Sequence, residues 1–471
     1  MTVETGKRAH FAEGAFWIVA IGLVLATVLR TRGILWSPDG LPAWDAAGYL
    51  LEGLKSARPL AEGDIKTLLT VLLKPDLHPP LHSFLLGCWL AIFGNEIPVV
   101  RTFPTVLFLA ALGVLVWIGH QLGPRGRVVA LGAAVLFTLS IEGVRYITTP
   151  MTENTALLFE LVALGLAMRN LDRTDNRSRL VVGVAITLAS LTRYNLAPML
   201  LVPLYAHHVW RNLRTPRKLL DPGALLWAAP TFGFLAVWQL LRPDLARNIS
   251  IFFVNRSSGL EFWSVENLFW VPLTLTRTYL NTPWLAVPLG ALFLVSLLPS
   301  VLGRDVHVGV GPVKVTLAHA ERLRLLQTFV VVSFGALTWH DYKIDRSLHA
   351  VAPFVYLSAL WTLAHVTVTK PAAAAAAVFA PVALLVGVAA PLYVHQFKDA
   401  IPNLAKTSDF RPEPPVVEAL AYIEKHARKR EMVWVTGWVF RLSPPLIEYW
   451  LKSRGVEAKI KLDSPLMREK T

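Results

Sequence analysis

The sequence predicts an all-α bundle that crosses a membrane about eleven times, with a small α/β appendage at its end. Three observations carry that expectation. Of the 471 residues 54% are hydrophobic and the mean hydropathy is +0.48, values that do not suit a chain dissolved in water. Apolar runs long enough to cross about 30 Å of hydrocarbon recur from end to end without the alternation of a barrel, so helices must satisfy the backbone. The formal charge of +14 is divided into short clusters between those runs. That is the positive-inside pattern, and it lacks the basic and aromatic platform of a nucleic-acid binder.

The first span is 11–29, preceded by Lys7 and Arg8. The residues after it, Arg30, Thr31 and Arg32, are not a small-residue cleavage site, so the sequence reads as a retained span and not as a removed signal peptide. Basic clusters at Gly123–Arg127, Arg169–Arg179, Arg211–Lys218 and Arg304–Arg324 are assigned to the cytoplasm. Two crossings, 11–29 and 97–120, then precede the first cluster. Leu81–Phe93, about 13 residues, is too short to cross and reads as a re-entrant or interfacial helix. Residues 31–96 become one large external loop holding Asp39, Asp45, Asp64, Asp76, His78 and His82.

The same bookkeeping gives crossings at 128–141, 155–168, 180–192, 195–209, 224–241, 283–302, 325–339, 348–368 and 372–394. It leaves Glu142–Asn154, Arg193–Tyr194, Arg242–Asn267 and Asp341–Arg346 outside. Residues 1–395 form the transmembrane domain and 396–471 a small external one. Pro402, Pro412, Pro414 and Pro415 mark a linker. Beyond it, 416–428 and 445–453 read as helices, and 432–436 and 457–461 as strands. A piece that small should lean on the bundle. Cys88 stands alone, which excludes an intrachain disulfide and a cysteine-based zinc site.

Several polar residues could carry chemistry. Asp45 and Tyr49 are four apart and share a helix face; a carboxylate at the membrane surface can act as a general base, and it can equally cap a helix. His78 and His82, around Pro79-Pro80, are also four apart and suit a metal pair, a phosphate contact or interfacial hydrogen bonding. Glu153 abuts an apolar run, so it either faces a polar cavity or caps the helix beginning near Thr155. Lys343 and Arg346 can clamp a phosphate or anchor the interface, and Arg193 at a hairpin tip is a second candidate for that task. Asn248-Ile249-Ser250 and Asn255-Arg256-Ser257 match the glycan acceptor pattern, which arises often by chance. No Gly-rich phosphate loop follows a strand, so no nucleotide-binding fold is expected.

The stretch HPPLHSFLLGCWLAIFGNEIPVVRTFPTVLFLAALGVLVWIGHQLG resembles the hallmark of dolichyl-phosphate-mannose-protein mannosyltransferase-like glycosyltransferases. These belong to the GT-C superfamily, which includes bacterial lipid A aminoarabinose transferases. The family's Asp-Glu-x-x-Tyr pattern in the first external loop is met by Asp45 and Tyr49. His- or Lys-Pro-Pro-Leu, Phe-Gly and Arg-x-x-Pro follow, met by His78–Leu81, Phe93-Gly94 and Arg101–Pro104. The likeness runs over roughly residues 40–210 in order and spacing. Ala46 stands where relatives have Glu, and Ser347 where they have Tyr.

The resemblance implies a GT-C-like bundle in the plasma membrane, with its active site and C-terminus external. It implies inverting transfer of a sugar from a polyprenyl-phosphate donor to a lipid, glycan or protein acceptor. Asp45 and Glu153 would be catalytic, and His78, Lys343, Arg346 and Arg193 would hold the donor phosphate. Tyr49, Asp76, His82 and Tyr146 would bind substrate. No cofactor, metal or nucleic acid is expected. The rival readings are a lipid or solute transporter or flippase and a non-catalytic scaffold. The candidate charges collect at one face and no repeated halves appear, which weighs against transport.

Overall fold

The structure is a computed structural model that describes residues 2–35, 44–73, 79–213, 215–219, 221–242, 264–275, 279, 283–310, 313–339, 345–365, 414–427, 433–436, 444–456 and 460–463. The helices are α1 (Thr2–Leu35), α2 (Trp44–Glu62), α3 (Ile65–Leu72), α4 (Pro80–Phe93), α5 (Ile97–Gln121), α6 (Pro124–Leu139), α7 (Ile141–Ile147), α8 (Thr152–Arg169), α9 (Asn176–Ser190), α10 (Leu196–Asn212), α11 (Pro216–Leu219), α12 (Ala229–Leu241), α13 (Val265–Thr274), α14 (Pro283–Leu302), α15 (Glu321–Trp339), α16 (Ala352–Ala364), α17 (Pro414–Ala427) and α18 (Pro444–Ser453). The strands are β1 (Val306–Val310), β2 (Val313–Leu317), β3 (Val433–Thr436) and β4 (Ile460–Asp463). Short 3₁₀ turns occupy Pro222–Trp227 and Asp345–Leu348.

The chain divides into two compact units. The first comprises residues 1–30, 108–144 and 156–395. Within it α6 and α14 pack on α16, α10 packs on α15, and α9 packs on α12 and the preceding 3₁₀ turn. Phe108, Phe137, Phe329, Phe354 and Tyr356 are fully buried at its core. The basic clusters expected in the cytoplasm meet at one end of this unit. Arg211 pairs with Asp172 at 2.7 Å, Arg322 donates to the Gln121 carbonyl at 2.7 Å, and Arg125 donates to the Ala364 carbonyl at 3.2 Å. Arg179 pairs with Asp221 there too.

The second unit comprises residues 31–107, 145–155 and 396–471. Its backbone is α2 laid on α4. The two helices touch through glycines: a Cβ on Gly53 would lie 2.8 Å from the Leu86 side chain, and one on Gly87 would lie 3.0 Å from the Gly53 carbonyl. The other contact face of α2 receives α18. One hydrophobic cluster therefore joins Leu50, Ala57, Leu86 and Leu90 to Leu420, Leu446, Ile447 and Leu451. In the tail β3 and β4 pair in parallel, Val433 opposite Ile460, so the helix–strand order read from the sequence holds to within a few residues.

Differences from the sequence reading have local causes. The segment 224–241 is bent by 43° between Trp227 and Ala229, where Pro222 and Pro230 open successive helical pieces without an N–H to donate. Helix α3 and the antiparallel β1–β2 hairpin lie where only loops were expected. Among the described residues, Ile97–Gln121 alone is a single helix both long and apolar enough to cross a membrane, and the bent stretch Arg217–Leu241 qualifies if counted as one span. Shorter apolar helices run at Phe16–Leu29, Pro80–Phe93, Pro288–Leu302 and Ala352–Ala364. The expected span at 372–394 and both glycan-acceptor triplets lie outside the described residues.

Candidate functional site

In the second unit four helix ends are drawn together by side chains from the expected external loops. Helix α4 begins where Pro79, extended at φ −65° and ψ 149°, hands over to Pro80; proline at the first helical position needs no N–H partner. His82 follows in the first turn and is fully buried. Its Nδ1 shares a 2.7 Å hydrogen bond with Oγ1 of Thr155 in α8. The Tyr49 ring meets the imidazole edge-on at 5.2 Å, and Phe103 of α5 meets it at 5.8 Å. Tyr49 is itself buried, one turn after Asp45 on α2.

The corner between α7 and α8 is held just as tightly. A helix end leaves its last carbonyls without intrahelical donors, and each of the last three in α7 accepts from a side chain. Thr149 Oγ1 donates to Arg145 O at 2.7 Å, Asn154 Nδ2 to Tyr146 O at 2.7 Å, and Thr105 Oγ1 to Ile147 O at 2.8 Å. Asn154 Nδ2 also donates to Pro104 O at 3.1 Å. The Tyr146 ring is buried, with the exposed Arg145 guanidinium 5.9 Å from its centroid.

Glu153 stands in the first turn of α8 and is 2% exposed, so it lies inside the helix and is not the cap before Thr155. The helix N-terminus favours its negative charge. Residues 153 and 155 differ by about 200° around a helix, so the Thr155–His82 bond fixes the rotation of α8 and with it the direction of Glu153. Asp64, another acid of the first loop, caps α3: Thr67 N donates to it at 3.0 Å, and the Thr67 hydroxyl and amide hold its carboxyl below the usual range.

The structure thus brings Tyr49 and His82 into contact and places Tyr146 and Glu153 on the corner that Thr155 ties to them. Asp76, His78 and Lys343 lie outside the described residues, as do the side chains of Asp45 and Arg346. The backbone of Arg346 belongs to the 3₁₀ turn Asp345–Leu348 of the first unit. Arg193, in the turn between α9 and α10, directs its charge at Glu160, a fully buried acid of α8 in the same unit. Next to the 3₁₀ turn, His349 is buried against Phe137 at 4.9 Å. Sequence reasoning missed Thr155, Asn154 and Glu160. The run Thr152-Glu153-Asn154-Thr155, four polar residues against an apolar helix, was the signal, since buried polar groups must find partners. Among the described residues no three His, Cys, Asp or Glu side chains are grouped as metal ligands would be.

Residues 77–238 match the family described as dolichyl-phosphate-mannose-protein mannosyltransferase. Among curated protein sequences none matches the chain. Among solved structures the chain resembles ArnT from Cupriavidus metallidurans bound to undecaprenyl phosphate, with a TM-score of 0.59 and 14% identity over 96% of this chain and 90% of that one. It also resembles the oligosaccharyltransferase of Archaeoglobus fulgidus in its apo form, with a TM-score of 0.60 and 12% identity over 96% of this chain and 65% of that one. The same enzyme, AglB, in complex with an inhibitory peptide and a dolichol-phosphate, gives a TM-score of 0.55 at 13% identity, over 95% of this chain and 65% of that one. The chain therefore shares its fold with these structures, and over residues 77–238 it is similar to the dolichyl-phosphate-mannose-protein mannosyltransferase family.

Proposed function

We propose that this chain is a multi-pass membrane glycosyltransferase that moves a sugar from a polyprenyl-phosphate donor to a lipid, glycan or protein acceptor on the external face, with inversion. The observation that carries the reading is the junction of Tyr49, His82 and Thr155. It anchors the helix that begins with Trp44-Asp45 and the helix that begins with Thr152-Glu153 around one buried imidazole. The match over residues 77–238 and the shared fold support it, as do the lipid phosphates carried by two of the similar structures.

In this reading an acceptor oxygen or nitrogen attacks the anomeric carbon as the bond from that carbon to the lipid phosphate breaks. Asp45 takes the acceptor proton, and Glu153 orients the acceptor. His78, Lys343, Arg346 and Arg193 stabilise the charge gathering on the departing lipid phosphate. Tyr49, Asp76, His82 and Tyr146 shape the substrate site. A lipid phosphate met by side-chain cations has no need of a metal-bound nucleotide, so transfer should survive chelation.

The test is transfer of radiolabelled sugar from a synthetic polyprenyl-phosphate donor by the purified full chain. Asp45→Asn should lower the rate by about 10²–10⁴-fold, the span of general-base catalysis. Full activity in that variant would overturn the assignment. Donor passage across vesicles without sugar transfer would replace the enzyme with a transporter.

A further inference from the structure

Helix α3 of the second unit is amphipathic and uncovered. Along Ile65–Leu72 the apolar side chains Ile65, Leu68, Leu69 and Leu72 recur at the spacing of one helix face, and Lys66, Thr67 and Thr70 occupy the other. A water-soluble protein would bury that stripe against its core. Here no residue of α3 is buried: Ile65 is 70% exposed and Leu69 52%. The polar face is meanwhile spent locally. The Thr67 amide and hydroxyl both donate to Asp64, and the Thr70 hydroxyl donates to Lys66 O at 2.9 Å.

What lies against this stripe follows from where α3 stands. Helix α5 has 25 residues, about 37 Å of helix against about 30 Å of hydrocarbon, so its first turns lie at the membrane edge. Helix α4 ends at that level, because Trp89 Nε1 donates to Val99 O at 3.0 Å and Gly94, at φ +93°, turns the chain from one helix to the other. Ile92 and Phe93 at its tip are left 73% and 55% exposed. Helix α2 reaches the same level, for it runs parallel to α4: Tyr49 meets His82 and, one turn on, Gly53 meets Leu86. In that register Glu62 falls beside Asn95. Gly63, at φ +69°, then ends α2, and Asp64 caps α3. The exposed stripe thus starts where α5 enters the membrane.

We propose that α3 lies in the lipid interface of the leaflet in which α5 begins and anchors the first loop there, with Ile65, Leu68, Leu69 and Leu72 among the acyl chains and Lys66 and Thr70 towards water. The occupant is the lipid surface and not a protein. A stable protein interface takes about 20–30 residues a side, whereas α3 and the tip of α4 offer six apolar side chains. A bilayer sets no such minimum, and it takes up a short apolar stripe whose polar side stays in water. The inference needs only that α5 crosses the bilayer, so it stands or falls separately from sugar transfer.

The experiment puts a single nitroxide label on the full chain, through Leu69→Cys or Thr70→Cys in a Cys88→Ala background, and reconstitutes it in phosphatidylcholine vesicles. Power-saturation electron paramagnetic resonance then compares collisions with oxygen, which concentrates among acyl chains, and with a neutral nickel chelate, which stays in water. The label at position 69 should read about 5–10 Å below the headgroup boundary, and the label at position 70 should read as water-exposed. Ile65→Cys should match Leu69→Cys and replaces it where that variant folds poorly. Labels at 65 and 69 that meet the nickel chelate as often as the label at 70 would overturn the proposal, since the stripe would then face water. Protection of both from oxygen and nickel alike would overturn it too, since protein, from this chain or a second copy, would then cover the stripe.

Discussion

Asn154 uses one amide nitrogen to hold two carbonyls, donating to Tyr146 at 2.7 Å and to Pro104 at 3.1 Å. It is fully buried, so neither carbonyl can turn to water if the donor goes. A buried polar group left unmatched costs about 1–3 kcal/mol. Asn154→Ala should therefore lower stability by about 2–5 kcal/mol, read as a fall in the melting temperature of the purified protein. Asn154→Asp should be worse, because a carboxylate cannot donate and would bring charge against two carbonyls. An Asp variant as stable as wild type would show that the corner is not held this way.

Thr155→Val removes a hydroxyl and almost no volume. It leaves His82 Nδ1 buried without the partner now 2.7 Å away, so stability should fall by about 1–3 kcal/mol. Because the same bond sets the rotation of α8, glycosyl transfer should fall further than stability explains. The check is to measure kcat and KM at a temperature where the variant is fully folded. His82→Phe, which keeps the ring contacts with Tyr49 and Phe103 but not the bond, should reproduce the kinetic loss. Normal turnover in both variants would reduce His82 to a packing residue.

The start of α4 was legible because proline marks it locally: Pro79-Pro80 opens the helix without help from the rest of the chain. The tail was legible for a similar reason, since its short amphipathic helices and apolar strands alternate within a few residues. The His82–Thr155 bond was not, because it joins positions 73 apart and nothing near either residue names the other. Gly53 and Gly87 likewise look like ordinary helix-weakening glycines until α2 and α4 are known to press together there. The β1–β2 hairpin was hidden differently. Val306, Val308 and Val310 alternate as a strand should, but they lie inside the basic segment Arg304–Arg324, whose charge reads as a cytoplasmic loop.

The tail should be inseparable from the first loop. Ile447 is fully buried in the cluster that joins α18 to α2, and Tyr449 Oη donates to the Asn95 carbonyl at 3.4 Å. Ile447→Ala should cost about 2–5 kcal/mol, and Ile447→Asp should release the tail to limited proteolysis while the remainder stays folded. Burial pushes the Tyr449 phenol up to about 12, so an ultraviolet titration should find it among the tyrosines that ionise well after the exposed ones. A late step smaller by one tyrosine in Ile447→Asp would confirm the docking. An unchanged titration would separate Tyr449 from it.

Glu321 gives the clearest pH dependence, at the end of the first unit where the basic clusters meet and before the apolar part of α15. Burial opposes its charge, but the hydrogen bond and charge of His207, 3.1 Å away, together with Arg324, outweigh burial and hold the carboxyl at about 2. His319 at 3.3 Å and Arg211 at 3.9 Å face the same carboxylate. A folded-state value depressed below the ordinary glutamate range means that the unfolded chain binds the proton first. The stability this cluster contributes is therefore complete above about pH 4.5 and is lost as the pH falls towards 2. With the carboxylate partly solvated, the loss should be on the order of 1–3 kcal/mol. Glu321→Gln should cost a similar amount at pH 7 and nothing further on acidification, since the amide does not titrate. Wild type and variant should thus converge in melting temperature near pH 2. Curves that instead stay parallel from pH 7 to pH 2 would show that Glu321 carries no linked proton and that the cluster is held together by its other charges.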